Sequence, residues 1–454
     1  MSKALYWFTH DLRLNDNSGV DALLDNHTEV AFMFVINTDW FKPTNYLQKS
    51  IGVHRWQFLK SSLENLHSQL RSRGHRLLLR LGKPVAELKQ FVEEYEIKQI
   101  YTSKQFGFYE QKEIDALKTL LPSVKVSCLS TSTLFNDEQI LTEQIPMQSF
   151  SAFRKHVETQ NFSISEPCLR DSSIWPQPID IHGAYENSYF GRVLDKVTRE
   201  LVGHNTSELS EDYRLLGGEQ SAISHVCDYF SSSAPLTYKE TRNELDGKYN
   251  STKFSPYLAM GNVSPRYIWH ELIKYQQSRG KNESTYWIGF ELLWREYFQW
   301  LLKSHGKSFF LFQGNTKNKP LTSFYAHRFA QWCNGQTKYP LVNACINQLN
   351  ATGYMSNRGR QIVASCLVNE LSVDWRYGAA YFQQQLVDYD VASNWGNWQY
   401  IAGVGVDPQG GRHFNISKQT QLYDKNGDFI KKWQGAYRDV HIYDLVNEAD
   451  WPNI

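Results

Sequence analysis

The chain has 454 residues, enough for two domains. Its 48 basic and 47 acidic residues leave a net charge of +1, which excludes non-specific nucleic-acid binding by bulk charge but not a local basic groove. No apolar run is long enough to span a bilayer, and the six cysteines show neither a C-x-x-C pair nor zinc-type spacing, so neither a membrane segment nor a metal centre is expected.

In chain order, residues 4–9 (ALYWFT) read as a buried strand, 29–36 (EVAFMFVI) as the second and 76–81 (RLLLRL) as the third. Helical periodicity covers 52–73, 84–95 (with Pro84 in the first turn) and 110–121, and shorter strands fall at 98–102 and 124–129. This alternation predicts a doubly wound parallel sheet covered by helices, whose ligands bind at the C-terminal strand ends. The turn after the first strand is Thr9-His10-Asp11-Leu12-Arg13, so neither a dinucleotide fingerprint nor a phosphate-binding P-loop is present. Residues 135–206 carry several prolines and read as a long connector wrapped over the surface.

From 207 onward the pattern is helical: 217–231, a helix begun by Ser264 and Pro265, the almost wholly apolar 285–304, then 341–352, 357–371 and 379–389. Chain organisation is therefore an α/β domain over 1–134, the connector over 135–206 and an all-α domain over 207–454. The chain opens Met-Ser-Lys without a signal-peptide pattern, and the widely spaced cysteines read as reduced, mostly buried thiols, so a cytoplasmic protein is expected, taken as a monomer.

Four constellations carry chemistry. Glu291, Trp294, Arg295 and Phe298 share one face of the apolar helix, either as a pocket wall or as an internal Glu–Arg pair beside a core tryptophan. Asn250-Ser251-Thr252-Lys253-Phe254-Ser255-Pro256 sets hydroxyls and a lysine before a helix, which suits phosphate, although a plain N-cap at Ser255 explains it as simply. Arg360 and Asp388 must pair if buried, and Asn394 offers both donors and an acceptor. Trp375 and Trp398 can stack and relay an electron, or simply fill the core.

Together, TKFSPYLAMGNVSPR, FELLWREYF, MSNRGRQ, DWRYGAAYF and LVDYDVASNWGNWQY resemble the photolyase/cryptochrome family over essentially the whole chain. FELLWREYF, SNRGRQ with Gln361, and NWGNWQYIAGVGVDP are similar to its DASH branch. The resemblance implies an antenna-binding α/β domain and a helical domain holding a U-shaped FAD. Tyr238, Ser251, Thr252, Lys253, Phe254 and Ser255 would bind phosphate and ribitol. Trp287, Glu291, Arg295, Arg360, Asp388 and Asp390 would line the flavin and adenine, with Asn394 facing flavin N5.

It further implies a deoxyribodipyrimidine photolyase acting on cyclobutane pyrimidine dimers, with single-stranded DNA preferred. Excited reduced flavin would pass an electron to a flipped-out dimer, the dimer would split, and the electron would return. Glu291, Trp294, Asn357, Gln361 and Tyr400 would contact the dimer, and Arg242, Arg295 and Arg358 the phosphates. Tyr400 stands where many photolyases carry a second tryptophan.

Three departures accompany it. Thr322 occupies the place of the outer tryptophan that should follow Trp398 and Trp375, leaving Tyr325 or Trp332 as substitutes and Phe324 as a poor one. Gln105 stands where a methenyltetrahydrofolate antenna usually meets a glutamate, and Thr9 replaces a common arginine. A blue-light receptor is the main rival; the chain ends soon after Trp433, which leaves little signalling tail. A (6-4) photolyase would need pocket histidines, and the positions assigned hold none.

Overall fold

The structure, a computed structural model, describes residues 3–140, 145–160, 162–169, 175–181, 189–202, 215–316, 319–406 and 411–438. The expected junction between connector and helical domain and the last residues of the chain lie outside this set.

The first half is built on a parallel sheet of β1 (Lys3–Phe8), β2 (Glu29–Asn37), β3 (Leu77–Gly82), β4 (Gln99–Ser103) and β5 (Lys125–Leu129), in the order β3-β2-β1-β4-β5. Register pairs Tyr6 with Phe32 on one side and with Tyr101 on the other. Helices α1 (Ser18–Asn26), α2 (Val53–Arg71), α3 (Pro84–Tyr95) and α4 (Phe108–Leu120) cover both faces. Alternate residues of β1 feed two cores. Ala4, Tyr6 and Phe8 join a large core continuous with the helical half, whereas Leu5 and Trp7 pack with Leu88, Phe91 and Ile114 of α3 and α4. Strand order reverses between β1 and β4, so the loops after those strands meet at the point where such sheets bind ligands.

The α/β expectation holds, with ends shifted by a residue or two and with α1 added. That helix starts where the Asn17 side chain accepts hydrogen bonds from the Gly19 and Val20 amides.

The connector is more regular than its prolines suggest. It contributes α5 (Phe150–Gln160), a two-residue strand β6 (Gln177–Pro178) beside β2, and α6 (Tyr189–Lys196). Phe150, Phe153 and Val157 give α5 a buried face.

The second half contains α7 (Glu219–Ser231), α8 (Tyr238–Thr241), α9 (Ser255–Ala259), α10 (Pro265–Arg279), α11 (Glu283–His305) and α12 (Ala326–Cys333). It continues through α13 (Pro340–Thr352), α14 (Asn357–Ser365), α15 (Trp375–Gln385), α16 (Val391–Ala402), α17 (Ile416–Tyr423) and α18 (Asp428–Lys432). Ser264 caps α10 with Pro265 in its first turn, as the sequence predicts. The expected 379–389 helix begins four residues earlier, at Trp375, because Asp374 caps it by accepting from the Arg376 amide.

The halves are joined through buried polar contacts. Arg13, at the strand ends, donates to the carbonyls of Gly261 (3.0 Å), Asp16 (2.8 Å) and Thr131 (2.6 Å). Asp16 pairs with Arg266 at 3.0 Å, and Glu219 accepts from the Leu14 and Asn15 amides. Glu296 of α11 accepts from the amides of Leu134 and Phe135 and from the Trp300 indole. Gly261, at φ +65°, brings its backbone against His10; a Cβ there would lie 2.2 Å from the His10 carbonyl oxygen.

All six cysteines are unpaired, but only Cys345 and Cys366 are buried, while Cys168 and Cys227 are exposed; the expectation of mostly buried thiols is corrected on that point. Among the described residues no helix is long and apolar enough to cross a membrane, and no metal-binding cluster occurs.

Candidate active site

Helix α11 supplies the longest wall. It starts on a reciprocal capping box between Asn282 and Thr285, then runs for 23 residues with an apolar back. Glu291 and Arg295, one turn apart, do not pair with each other. Glu291 forms an ion pair with Arg242 of the α8 end, whose guanidinium also lies 4.3 Å over the Trp287 ring. Burial raises the Glu291 pKa, with Arg242 opposing the shift. Arg242 is thereby engaged inside the site. Arg295 turns towards the seam between the halves, donating to the Ser132 carbonyl at 2.6 Å and standing 3.9 Å from Asp390.

A second wall forms around Asp388, whose side chain is 2% exposed. Arg360 Nη2 reaches both its oxygens, at 3.0 and 2.8 Å, and the Ser255 hydroxyl donates to it at 2.6 Å. Ser255 is thus the first residue of α9 and ties it to Asp388, instead of acting as an N-cap; Phe254 holds that position without a side-chain bond. Lys253 takes a left-handed backbone (φ +50°) and sets its ammonium 4.4 Å over the ring of Tyr354. The Tyr354 hydroxyl also meets Ser251 at 3.2 Å, the Thr252 carbonyl faces His225, and Tyr238 and Phe254 are buried nearby in the core. Tyr354 joins the 251–255 segment to Arg360, a junction invisible without the fold.

Helix α16 closes the site. Asp390 caps it, accepting from the Ser393 amide at 2.8 Å and from Gln299 at 2.6 Å. Asn394 is buried and donates to the Ala379 carbonyl at 3.0 Å, which leaves its amide oxygen as the acceptor. Trp398 lies two turns into α16, fully buried, 5.1 Å from Phe382 and 6.2 Å from Trp332. A Cβ on Gly378 would lie 2.2 Å from its ring, so only glycine permits this approach of α15 to α16. Trp375 is equally buried, donates to the Phe312 carbonyl and packs edge-on to Trp395 at 5.6 Å. Trp332 is fully enclosed and cannot be the solvent exit, whereas Tyr325 is partly exposed under the Arg328 guanidinium. Thr322 carries an unpartnered buried hydroxyl, and Phe324 stacks on Tyr377 at 4.1 Å.

At the mouth, Trp294 and Tyr400 face each other edge to plane, 6.4 Å apart. Arg412, absent from the sequence reasoning, lies 4.8 Å over Tyr400. Asn357 is exposed at the start of α14, and Arg358 donates to Asn243 while lying 5.0 Å over Tyr423. Gln361 is partly buried, and its side-chain oxygen has neither solvent nor a hydrogen-bond partner. A buried acceptor without a donor costs roughly 1–3 kcal/mol. An open cavity of about 340 Å³ beside α8 is lined by Glu244, Asp246, Asp428 and Lys432, and shares only Tyr423 with these contacts.

A further polar cluster sits at the strand ends, within the field of Asp390. His10 is held near neutral form, its pKa lowered to about 4 by burial and Arg55, with Gln105 bonded to it. Gln105 donates to the Thr9 hydroxyl at 2.7 Å and to the Ser103 carbonyl. Glu110, overlooked in the sequence, has its pKa raised by burial in the field of Arg55 and Asp390.

Residues 4–169 match the family model for DNA photolyase, and residues 287–452 that for the FAD binding domain of DNA photolyase. Cryptochrome DASH of Idiomarina loihiensis is 43% identical over 99% of this chain and 96% of its own length; that of Vibrio parahaemolyticus is 44% identical over the same shares. The crystal structure of a Synechocystis cryptochrome superposes with a TM-score of 0.87 at 35% identity, over 95% of this chain and 88% of that one.

Proposed function

The chain belongs to the photolyase/cryptochrome family, in its DASH branch, and from that premise we propose that it repairs cyclobutane pyrimidine dimers in single-stranded DNA under light, using FAD. One observation carries the substrate reading: Trp294 opposes Tyr400 across the mouth, with Glu291 one turn earlier on the same helix and the unpartnered Gln361 oxygen buried in α14. Two aromatic walls with polar groups between them suit a pair of pyrimidines taken out of a strand.

The residues fit an FAD. Lys253 and the hydroxyls of Ser251 and Thr252 suit a pyrophosphate, Arg360 held by Asp388 supplies fixed positive charge, and the Asn394 oxygen accepts a ring N–H. Bound there, FAD supplies the light-excited one-electron donor. Asp390 and Gln299 fix the start of α16, and hence where Asn394 stands. Burial raises the Glu291 pKa while the Arg242 pair opposes the shift; on taking a proton, Glu291 can donate a hydrogen bond to a pyrimidine carbonyl and stabilise charge arriving there. Trp398 and Trp375, shielded from water, carry electrons inward when the cofactor must be reduced.

Opening a duplex to extrude two bases costs a few kcal/mol, and a wall of Tyr400 rather than tryptophan recovers less of it by stacking. A single strand, already open, is the better substrate on that count. Arg358 and Arg412 stand at the rim where phosphates pass. We extend the proposal to a methenyltetrahydrofolate antenna at the strand ends, where His10, Gln105 and Glu110 gather; Glu110 supplies the carboxyl that Gln105 lacks.

Binding in the dark tests the substrate. Single-stranded oligonucleotides with a thymine dimer should bind tighter than undamaged ones, and tighter than the same dimer in a duplex. Equal affinity for damaged and undamaged strands would remove the repair reading and leave a light receptor. Near-ultraviolet absorption of the purified protein beyond that of its FAD would reveal the antenna, and its absence would sink that part.

A further inference from the structure

We infer that Phe150, on the connector, is a positioning residue for the lesion-binding tryptophan. The inference rests on the reading of Trp294 as a base-stacking wall. Phe150 opens α5 and is 6% exposed. Its ring lies parallel to Trp294, at 3.7 Å between centroids and 12° between planes. An indole has two faces, and this stack occupies one of them. The indole also meets Phe298 at 5.4 Å and Tyr400 at 6.4 Å, so a base must stack on what remains of the opposite face.

The rest of α5 is arranged to hold that ring in place. Phe153 is fully buried and packs on Tyr297, whose hydroxyl donates to the Met147 carbonyl at 3.0 Å. Arg154 donates to the Tyr286 hydroxyl at 2.7 Å, and that hydroxyl donates to Glu158. The Arg154 guanidinium also covers Phe290, against which Phe150 stands edge-on at 5.0 Å. Contacts from Tyr286, Phe290 and Tyr297 of α11 therefore lock the helix that backs Trp294. The connector thus forms the outer layer of the substrate slot.

The physical consequence is preorganisation. A partly exposed indole on a helix has several rotamers, and a bound base must select one of them. The Phe150 stack makes that selection before the ligand arrives. A nearly face-to-face pair such as this one contributes at most what an offset pair does beyond its buried area, a change in affinity of up to roughly 12-fold.

The test compares dark binding of a thymine-dimer single strand with that of its undamaged counterpart, on the full FAD-loaded chain. Phe150→Leu keeps an apolar side chain but loses the stack; Phe150→Tyr restores the ring. Phe150→Leu should weaken dimer binding about 3- to 10-fold while leaving undamaged DNA and FAD content unchanged, and Phe150→Tyr should bind as the parent does. If Phe150→Leu fails to hold FAD, Phe150→Met takes its place with the same expectation. Parent-like dimer binding by the ring-less variant, or equal losses on damaged and undamaged DNA, overturns the inference. Trp294→Ala is measured alongside. If that variant also binds dimers normally, the stacking-wall reading itself fails; if it loses them and Phe150→Leu does not, only the inference falls.

Discussion

Replacing Asp388 by asparagine removes one charge from the best-satisfied ion pair in the site. Asp388 accepts from Arg360 at 3.0 and 2.8 Å and from Ser255 at 2.6 Å, with 2% of its side chain exposed against 24% for Arg360. Breaking a buried pair from one side costs about 3–5 kcal/mol, because the partner stays buried and uncompensated. Water reaches part of Arg360, which also donates to the Met355 carbonyl, so about 2–3 kcal/mol is the expected loss. At roughly 2 °C per kcal/mol for a large domain, Asp388→Asn should lower the melting temperature by about 4–6 °C. The same contact ties α9 and α14 to the turn before α16, the three elements expected to hold FAD. FAD content, read from flavin released on denaturation, should fall with it, and the melting-temperature gap between FAD-loaded and stripped protein should narrow. The double variant with Ser255→Ala should lose less than the two single losses added, since both act on one carboxylate. A variant that melts within about 1 °C of the parent with full FAD would refute this account of the pair.

Other outcomes follow from the same geometry. Glu291→Leu, which leaves no hydrogen-bond donor, should retain FAD yet repair roughly 10- to 100-fold more slowly, as measured by single-turnover flash kinetics. Trp398→Phe should abolish photoreduction of oxidised flavin while leaving repair intact once the flavin is reduced chemically; normal photoreduction would exclude Trp398 from the path. Glu113 has its pKa raised to about 7 by burial and by Glu110 and Asp39, so between about 4.5 and 7 the folded chain keeps a proton that the unfolded chain releases. Stability from this group is complete at low pH and lost as pH rises through 7. After allowance for solvent screening, Glu113→Gln should gain roughly 1–2 kcal/mol at alkaline pH and nothing in acid, measured by denaturant unfolding across pH. His10 works in the opposite direction. With its pKa lowered to about 4, stability is present above the ordinary histidine range and lost as pH falls below it, and His10→Gln should flatten that acid limb.

The sheet was legible because its central strands β1 and β2 are buried on both faces and read as continuous apolar runs between helical periods. Helix α1 was hidden by the Asn-Asp-Asn cluster before it, which signals a turn as strongly as a cap. Helix α16 shows no amphipathic stripe, because it is buried on both sides, with Asn394 and Trp398 on one face and Gly396 and Gln399 on the other. Within the site, the Arg360–Asp388 pair followed from the expense of burying either charge alone. The partner of Glu291 did not, since a carboxylate at helical spacing from Arg295 gives no hint of Arg242 on another element. The same limit concealed Tyr354 beneath Lys253, Arg412 over Tyr400 and Phe150 behind Trp294, all contacts made between distant segments. In the connector, the Phe150, Phe153 and Val157 spacing marked a helix, but the prolines around it read more loudly.

Light-driven repair itself is the most direct measurement. Chemically reduced, FAD-loaded protein is mixed with a single-stranded oligonucleotide carrying one thymine dimer and exposed to blue light, with a dark control. The predicted result is recovery of the ultraviolet absorbance of intact thymines in light only, faster on the single strand than on a matched duplex, and strongly slowed by Glu291→Leu. No recovery in light, from a preparation with full FAD that binds the damaged strand, would contradict the claim that this site is a repair enzyme.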